Sequence, residues 1–223
     1  MSLAAAPRVD PYRQRGIFTP TDKPYSAACE RNRDPILRVL RSCFADRRKV
    51  LEIGSGTGQH AAYFSAALPH LVWQASDRAE NLPGIRQWLD DAKVANTPPP
   101  LEFDVDQQRP PGDVRTGTRY DACFSANTLH IMSWPEVEKL FGALPEMTTH
   151  DAVLVIYGPF NYGGRYTSVS NADFDRSLKE RAPHMGIRDV SDVDALAHGV
   201  GFDLIDDVAM PANNRCRVWR RVR

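Results

Sequence analysis

Short apolar runs alternate with amphipathic stretches along most of the chain. Runs rich in β-branched and aromatic residues that end at Gly, Pro or an acidic residue predict strands, at residues 50–53, 71–75, 101–103, 120–124, 152–157, 203–210 and 215–222. Apolar residues at helical spacing between these runs predict helices, at residues 35–44, 61–68, 85–89, 133–144 and 191–199. Strands that alternate with helices favour a parallel sheet, and the short turn between the last two strands favours one antiparallel hairpin. We therefore expect a doubly wound α/β domain.

Polar residues that typically cap helices indicate where three of the predicted helices begin. Asp34-Pro35 predicts the start of the first helix, because Asp caps a helix well and Pro fits its first turn. Ser133-Trp134-Pro135-Glu136 has the spacing of a capping box, and Ser191 with Asp194 indicates another capped start. The run 152–157 is the most apolar strand, so we expect it to lie at the centre of the sheet, buried on both faces.

The chain divides into an N-terminal arm with a helix, residues 1–45, and one larger domain, residues 46–223. The stretch 158–188 lacks clear periodicity and lies between the fifth strand and the next helix, so we expect an irregular cap segment at about 158–190. The stretch 107–118 is polar and carries Pro and Gly, which predicts a surface loop.

Charge composition narrows the choice of partner. Lys and Arg total 28, and Asp and Glu also total 28, so the net charge is zero. A neutral chain disfavours a surface that tracks nucleic acid, and the apolar run 153–157 is too short to span a bilayer. We expect a small-molecule substrate, no nucleic acid and no membrane partner. The C-terminal arginines alternate with apolar residues, which predicts a strand with one solvent-facing side: Arg215, Arg217, Arg220, Arg221 and Arg223.

The four cysteines form no C-x-x-C pair and have no histidine at metal-ligand spacing, so we expect no metal site. Cys43 and Cys123 stand among apolar residues and are expected in the core. This cysteine usage is typical of a reducing compartment. Residues 1–10 contain no apolar segment of the signal-peptide type. We expect a cytoplasmic protein.

The segment Glu52-Ile53-Gly54-Ser55-Gly56-Thr57-Gly58 joins the first strand to the following helix. Glycines at such a junction allow a tight bend and the close approach of a ligand to a helix N-terminus. A dinucleotide fingerprint requires G-x-G-x-x-G, but Gln59 occupies its last position and Gly58 stands one place early. Glu52 would also repel a pyrophosphate. A phosphate-free cofactor with a cationic amino acid end tolerates this acid, and S-adenosylmethionine is such a molecule.

Two further acids stand where this interpretation needs them. Asp77 ends the second strand, about 20 residues beyond the loop, where a carboxylate accepts hydrogen bonds from both ribose hydroxyls. Asp104 ends the third strand, where a carboxylate accepts a hydrogen bond from the adenine amino group. Alone, Asp77 also fits a helix cap and Asp104 fits a surface acid; their succession at neighbouring strand ends favours a cofactor site.

This pattern resembles the class I S-adenosylmethionine-dependent methyltransferases. The segments that carry the resemblance are Val50 to Gly58, Asp77, Asp104 and Ala126-Asn127-Thr128-Leu129-His130. More narrowly, the whole chain is similar to the DUF938, methyltransferase-like 26 family, on the segments Ala28 to Ile36, Gly158 to Gly164 and Met210 to Asn214. The resemblance implies a Rossmann-like sheet of seven mostly parallel strands with the last strand antiparallel. It names no substrate.

Together, the motifs and the resemblance suggest a set of cofactor-binding residues. This set is Glu52, Gly54, Ser55, Gly56, Thr57, Gly58, Asp77, Arg78, Asp104, Val105, Ala126, Asn127, His130 and Asn32.

The candidate catalytic residues are His130, Tyr157 and Tyr162, which follow the fourth and fifth strands. His130 is placed to act as a general base, and a role in holding its loop or in touching the cofactor fits its position equally well. Tyr157, Tyr162 and Asn161 would line a substrate pocket or simply pack beneath the cap. His60 is expected to cap its helix or face solvent.

Other polar residues have simpler explanations. Residues 30–33 would either fold over the cofactor or form a solvated turn before the first helix, and Asn213-Asn214 fits the final turn.

We therefore predict a methyltransferase that uses S-adenosylmethionine on a small-molecule acceptor. Two alternatives remain open at this point. An NAD-dependent oxidoreductase shares the fold and the acid after the second strand, but it requires different glycine spacing. A non-catalytic module that binds S-adenosylmethionine would share every cofactor residue and lack turnover.

Overall fold

The computed structural model describes residues 23–106, 111 and 119–223. The first part of the predicted arm, residues 1–22, and nearly all of the predicted surface loop at 107–118 lie outside the described residues. In the described chain, no helix is long and apolar enough to cross a membrane. No group of three or more His, Cys, Asp or Glu residues in this part of the chain is arranged to hold a metal ion.

The described strands form one sheet. Its spatial order is β3 (Leu101–Glu102), β2 (Val72–Asp77), β1 (Lys49–Ile53), β4 (Tyr120–Ala126), β5 (Thr148–Asn161), β8 (Asn214–Arg221) and β7 (Phe202–Met210). The pairs from β3 to β5 are parallel, whereas β8 runs antiparallel to both of its neighbours. A short strand, β6 (Arg188–Asp189), pairs with the end of β5. The predicted doubly wound fold with an antiparallel last strand is confirmed.

Helices cover both faces of the sheet. They are α1 (Ala27–Cys43), α2 (Gln59–Ala67), α3 (Leu82–Ala92), α4 (Trp134–Met147), α5 (Val169–Arg181) and α6 (Val190–Gly199). The apolar sides of α1, α2 and α3 share one hydrophobic core, and those of α4 and α6 share the other. Alternate residues of β5 enter the two cores: Val153 and Val155 enter the first, and Leu154 and Ile156 enter the second. This strand is therefore buried on both faces, as its composition predicted.

Helix α1 begins at Ala27, eight residues before the start that Asp34-Pro35 predicted. Pro35 lies inside the helix. A tertiary contact fixes the earlier start, because the backbone N–H and C=O of Ser26 both bond to the side chain of Gln59. Residues 30–33 are consequently part of the helix, and the predicted solvated turn is wrong. The prediction that Pro35 marks the first turn of the helix is therefore wrong.

The predicted cap segment is less irregular than expected. It contains the 13-residue helix α5, whose N-cap Ser168 accepts a hydrogen bond from the backbone N–H of Asn171. Helix α6 is capped by Asp189 and not by Ser191, since the Asp189 carboxylate accepts from the backbone N–H of Ser191. The capping box at Ser133 and the final turn at Asn213 are confirmed.

Strand β8 does not have the solvent-facing side that its alternating arginines predicted. It lies between β5 and β7, and Arg217 is only 2% exposed. Its guanidinium lies 2.6 Å from Asp207 and 2.5 Å from Asp194. The strand's position inside the sheet explains this burial. Of the two cysteines expected in the core, Cys123 is buried and Cys43 is half-buried.

Candidate functional site

Three glycines shape the turn between β1 and α2. Gly54, Gly56 and Gly58 have φ values of 72°, 57° and 89°, the left-handed region that favours glycine. A Cβ on Gly54 would lie 2.7 Å from Oγ1 of Thr128, and one on Gly58 would lie 2.7 Å from the backbone of Ile85. A Cβ on Gly56 would meet nothing within 4 Å. Packing therefore requires Gly54 and Gly58, whereas Gly56 borders open space.

Glu52, the last residue but one of β1, is almost fully buried. Its carboxylate accepts a hydrogen bond of 2.8 Å from the indole Nε1 of Trp73 and another from the hydroxyl of Ser55. Burial and, to a smaller extent, the nearby Asp77 carboxylate raise the pKa of Glu52 to about 7. The carboxyl group of Glu52 therefore changes its protonation state near neutral pH.

Asp77 lies at the carboxyl end of β2, directly beside the glycine turn. Its Oδ2 accepts a hydrogen bond of 2.6 Å from the backbone N–H of Gly56. Its Oδ1 accepts from the backbone N–H of Arg78 and from Nδ2 of Asn81, each at 2.7 Å. These donors fix the carboxylate next to the open face of Gly56.

Asp104 and Val105 follow β3, the next strand in the sheet. Nε of Arg78 lies 3.5 Å from the Asp104 carboxylate, and the same guanidinium lies 2.6 Å from Glu136 in α4. Val105 packs against the core beneath α4. The structure thus brings Asp77, Arg78 and Asp104 together at the carboxyl ends of neighbouring parallel strands, where α/β sheets bind their ligands.

Helix α1 covers the glycine turn. Gln59 bonds to the backbone of Ser26, to the carboxylate of Glu30 and to the hydroxyl of Thr57. Cys29 of the same helix contacts Thr57, and its thiol has a pKa raised mainly by burial. The predicted position of residues 30–33 near the cofactor is therefore compatible with their place in α1.

Asn32 links α1 to two other elements. Its Oδ1 lies 2.7 Å from Nε2 of His60 in α2, and its side chain also bonds to the hydroxyl of Tyr157. All three residues are buried. Burial lowers the pKa of His60 to about 4 and raises that of Tyr157 to about 12, so both are neutral at pH 7. The expectation that His60 caps a helix or faces solvent is wrong, because α1 covers it.

A second group converges at the end of β4, where Ala126 is the last strand residue. Asn127 has a positive φ of 58°, and its backbone N–H donates to the carbonyl of Tyr157. A Cβ on Gly158 would lie 4.0 Å from both Oδ1 of Asn127 and Nδ1 of His130. Backbone positions of this kind cluster at functional sites.

His130 is buried against the cap, with its ring centroid 5.3 Å from that of Phe174 in α5. Burial and, to a smaller extent, the nearby charges of Arg181 and Arg188 lower the pKa of His130 to about 4. The imidazole is therefore neutral at pH 7.

The cap is bonded to the loop that carries His130. The carbonyl of His130 accepts from the backbone N–H of Gly186 at 3.0 Å. The guanidinium of Arg188 donates to the carbonyls of Leu129, Met132 and His184. Sequence reasoning missed Arg188, because no local motif marks a side chain that binds distant backbone carbonyls.

Tyr162 belongs to a different cluster from His130. Its hydroxyl donates to Asp207 at 2.6 Å, and the same carboxylate binds Arg215 and Arg217. This arrangement engages the hydroxyl in an ionic network on β7 and β8. Its predicted catalytic role stays a prediction, and the network provides a structural role.

The sequence matches, over residues 23–221, a family described as "Protein of unknown function (DUF938)". Three similar solved structures share the fold. An O-methyltransferase family protein from Burkholderia thailandensis is 18% identical, with a TM-score of 0.73 over 87% of this chain and 57% of that one. Human N-acetylserotonin methyltransferase, solved with S-adenosylmethionine, is 14% identical, with a TM-score of 0.72 over 88% and 53% of the chains.

The third is an O-methyltransferase family 2 protein from Planctomyces limnophilus, solved with apigenin. It is 14% identical, with a TM-score of 0.75 over 88% of this chain and 59% of that one. The chain thus spans little more than half the length of these proteins. At such identities the likeness concerns the fold, which is that of the class I methyltransferases.

Proposed function

The chain belongs to the DUF938 family, and on that premise we propose that it is an S-adenosylmethionine-dependent methyltransferase with a small-molecule acceptor. One observation carries the proposal. Three carboxylates, those of Glu52, Asp77 and Asp104, lie at the ends of adjacent parallel strands around a glycine turn, and Gly56 in that turn borders open space.

The chemistry of these side chains fits S-adenosylmethionine. Its amino acid end and sulfonium are cationic, and its ribose and adenine offer hydrogen-bond donors to carboxylates. In this proposal Asp77 holds the ribose, and Asp104 with Val105 holds the adenine. Glu52 and the glycine turn hold the amino acid end, and Ala126 and Asn127 border the reactive centre. Arg78, which is paired with Asp104 and Glu136, closes the adenine side.

An NAD-binding site is less compatible with the same features. In its ionised form the buried Glu52 would repel a pyrophosphate. Gln59 stands where the dinucleotide motif places its third glycine. Gln59 is also bonded to α1. Gly58, one residue earlier, allows the close approach to the backbone of Ile85. These contacts favour the phosphate-free cofactor.

Bound S-adenosylmethionine would supply a methyl group on a positively charged sulfur, which leaves as a neutral thioether. The protein's own contribution is alignment of the acceptor and exclusion of water. The buried residues Tyr157 and His130 lie near the end of β4, where Ala126 pairs with Tyr157, and the buried side chain of Asn32 bonds to the Tyr157 hydroxyl. His130 is neutral at pH 7, and its lowered pKa makes it a weak general base for an acceptor atom that loses a proton.

Calorimetric titration with S-adenosylmethionine, S-adenosylhomocysteine and NAD tests the cofactor assignment. We expect the first two to bind, NAD to bind at least tenfold more weakly, and Asp77→Ala to weaken S-adenosylmethionine binding at least tenfold. Equal affinity of the variant and the parent would contradict the role of Asp77. A labelled methyl donor mixed with a metabolite extract then distinguishes an enzyme, which transfers the label, from a non-catalytic binding module.

A further inference from the structure

An open cleft of about 480 Å³ lies at the carboxyl end of β5, where Asn161 forms part of its lining. Trp134 at the start of α4, Arg188 and Asp189 of β6, and Asp192 in the first turn of α6 line it as well. A volume of this size is typical of sites for small molecules. The proposed cofactor site uses none of these residues, so the cleft is available to a second molecule.

The guanidinium of Arg188 is fixed in position by backbone carbonyls. Its Nε donates to the carbonyl of Leu129 at 3.0 Å, and its Nη2 donates to the carbonyls of Met132 and His184. Its Cζ also lies 5.9 Å from the centroid of the Trp134 ring, a cation–π contact. These contacts hold the guanidinium without neutralising it, because carbonyl groups and an aromatic ring carry no net charge.

One nitrogen of this guanidinium lacks a partner. An arginine has five N–H groups, and the three hydrogen bonds use those of Nε and Nη2 alone. Nη1 has no hydrogen-bond partner among the described residues, and it is not enclosed as Nε of Arg33 and Nε of Arg217 are, so solvent reaches it. Because Arg188 and the Trp134 ring beside it both line the cleft, the two N–H groups of Nη1 are available to an acceptor there.

The positive charge of Arg188 also lacks an ion-pair partner in the part of the chain that the structure describes. Burial lowers the pKa of Arg188, and the carboxylate of Asp175 opposes this shift. Asp175 is itself paired with Lys179 at 2.7 Å. A half-buried charge without its own counter-ion costs free energy, and an anion bound in the cleft would offset this cost.

Two carboxylates of the cleft limit the charge of such an anion. Asp189 accepts hydrogen bonds from the backbone N–H groups of Gly164 and Ser191 and from the hydroxyl of Ser191. Asp192 is exposed in the first turn of α6, where water and salt screen its charge. Both carboxylates disfavour a dianion such as a phosphate monoester. A monoanion such as a carboxylate matches the single positive charge of Arg188.

The guanidinium also lies next to the proposed reactive region. Leu129 and Met132, whose carbonyls it binds, flank His130 in the chain. A Cβ on Gly158 would lie 4.0 Å from both Nδ1 of His130 and Oδ1 of Asn127. A small molecule held by Nη1 can therefore present its other end to Asn127 and His130.

We propose that Arg188 anchors the methyl acceptor of this protein through a carboxylate group bound in the cleft. The acceptor is then a small carboxylic acid, ionised at pH 7, that carries the methylated atom in a second polar group. The carboxylate is the anchor and not the methylated group, because its contact with the guanidinium weakens its oxygen as a nucleophile. This inference rests on the proposed function for the identity of the bound molecule as acceptor.

Ligand-observed NMR titrations with 3-phenylpropionate, 3-phenylpropanamide and 3-phenylpropylamine test the anchor, because these probes share a body and differ in charge. We expect the carboxylate to bind at least tenfold more tightly than the amide or the amine. Arg188→Gln should weaken binding of the carboxylate at least tenfold and leave binding of the amide unchanged. Arg176→Gln, the same change at an exposed arginine of α5, should alter neither affinity.

Because Arg188 also holds backbone carbonyls, two further measurements separate its charge from its structural contacts. Arg188→Lys keeps the charge and loses the planar set of donors, so it should retain a preference for the carboxylate over the amide, which Arg188→Gln loses. In the parent protein, added sodium chloride should weaken binding of the carboxylate and leave binding of the amide unchanged. The salt titration needs no variant.

Three results would overturn the proposal: no detectable binding of 3-phenylpropionate to the parent protein, equal affinity for the carboxylate and the amide, or an unchanged preference in folded Arg188→Gln. S-adenosylmethionine binding, measured in parallel on each variant, separates the two hypotheses. If the cofactor binds and the preference for the carboxylate is absent, the anchor is wrong and the methyltransferase proposal stands. If the carboxylate binds through Arg188 and the cofactor does not bind, the anion in the cleft is not a methyl acceptor.

Discussion

The indole Nε1 of Trp73 donates a 2.8 Å hydrogen bond to the carboxylate of Glu52 on the neighbouring parallel strand. Both side chains are buried, so this bond stabilises an acid inside the core at the entrance to the glycine turn. The protonation state of Glu52 therefore affects the stability of the fold. In the proposed function it also affects the binding of a cationic cofactor.

The first prediction concerns the pH dependence of stability. Because the pKa of Glu52 is about 7 in the folded protein, against an ordinary value of 4.5, the folded state holds the extra proton between these pH values. The free energy of unfolding therefore falls as pH rises from about 4.5 to 7, and the ionisation of Glu52 accounts for roughly 3 kcal/mol of this fall. Glu52→Gln should remove this slope and be more stable than the parent at pH 8, with little difference at pH 4.

Urea unfolding of the ligand-free protein between pH 4 and 8 measures the effect. Glu138→Gln, on the exposed face of α4, is the matched control and should keep the parent's pH dependence. The same slope in Glu52→Gln as in the parent would show that another group titrates. Weaker S-adenosylmethionine binding in Glu52→Gln at pH 8 is expected as well, since the variant has lost a negative charge near the cation.

The second prediction concerns the donor to this carboxylate. Trp73→Phe removes the indole N–H, so the ionised Glu52 would lose a partner in the core. We expect a loss of stability of about 1–3 kcal/mol beyond the cost of the smaller ring at pH 8, and less at pH 5, where Glu52 is protonated. The same substitution in a Glu52→Gln background should show a smaller pH dependence. A double-mutant cycle by urea unfolding at both pH values measures this coupling.

The third prediction separates two glycines of the same turn. Gly58→Ala should destabilise the protein by more than 2 kcal/mol, because its Cβ would lie 2.7 Å from the backbone of Ile85. Gly56→Ala has free space for its Cβ, so only the positive φ opposes it, at a cost of about 1 kcal/mol. Yet Gly56→Ala should weaken S-adenosylmethionine binding at least tenfold, because the methyl group enters the proposed cofactor space.

Thermal unfolding and calorimetry on both glycine variants provide the test. A Gly56→Ala protein that binds the cofactor as tightly as the parent would argue against a ligand at this face of the turn.

The fourth prediction concerns the buried arginine of β8. Arg217 pairs with Asp194 and Asp207, so Arg217→Ala would leave both carboxylates with fewer partners and open a cavity. We expect a loss of about 3–5 kcal/mol. Arg217→Met, which fills most of the volume, should cost less. Arg220→Ala, at an exposed position near the end of the same strand, should change stability by less than about 1 kcal/mol. Urea unfolding measures the stability of the three variants. Equal losses in Arg217→Ala and Arg220→Ala would contradict a structural role for the ion pairs of Arg217 with Asp194 and Asp207.

The sequence alone was sufficient to predict seven of the eight strands of the described sheet, because apolar runs that end at glycine, proline or an acidic residue reflect local geometry. It also placed Asp77 and Asp104 at strand ends, where parallel pairing brings them to one edge. The start of α1 could not be predicted in this way, because a contact between Ser26 and Gln59, far apart in the chain, overrides the local preference of Pro35.

The sequence also did not predict which polar residues are buried. His60 is buried because α1 packs over it, and Arg217 because β8 is inserted between two strands. Both outcomes depend on the order of elements in space, which the local pattern does not contain. The hydrogen bond between Trp73 and Glu52 could have been predicted from the sequence, because a buried indole N–H requires an acceptor and the adjacent strand carries one.

The position of β8 has a consequence for biosynthesis. β7 is made before β8, yet in the described sheet it joins the other strands through β8 alone. A nascent chain that has emerged only as far as Met210 therefore cannot pair β7 with the other strands of the sheet, and the edge of β5 lacks its partner β8. Until ribosomes have released the following residues, this edge is open to pairing with other chains. Chaperone contact during translation should accordingly be strongest at this late stage.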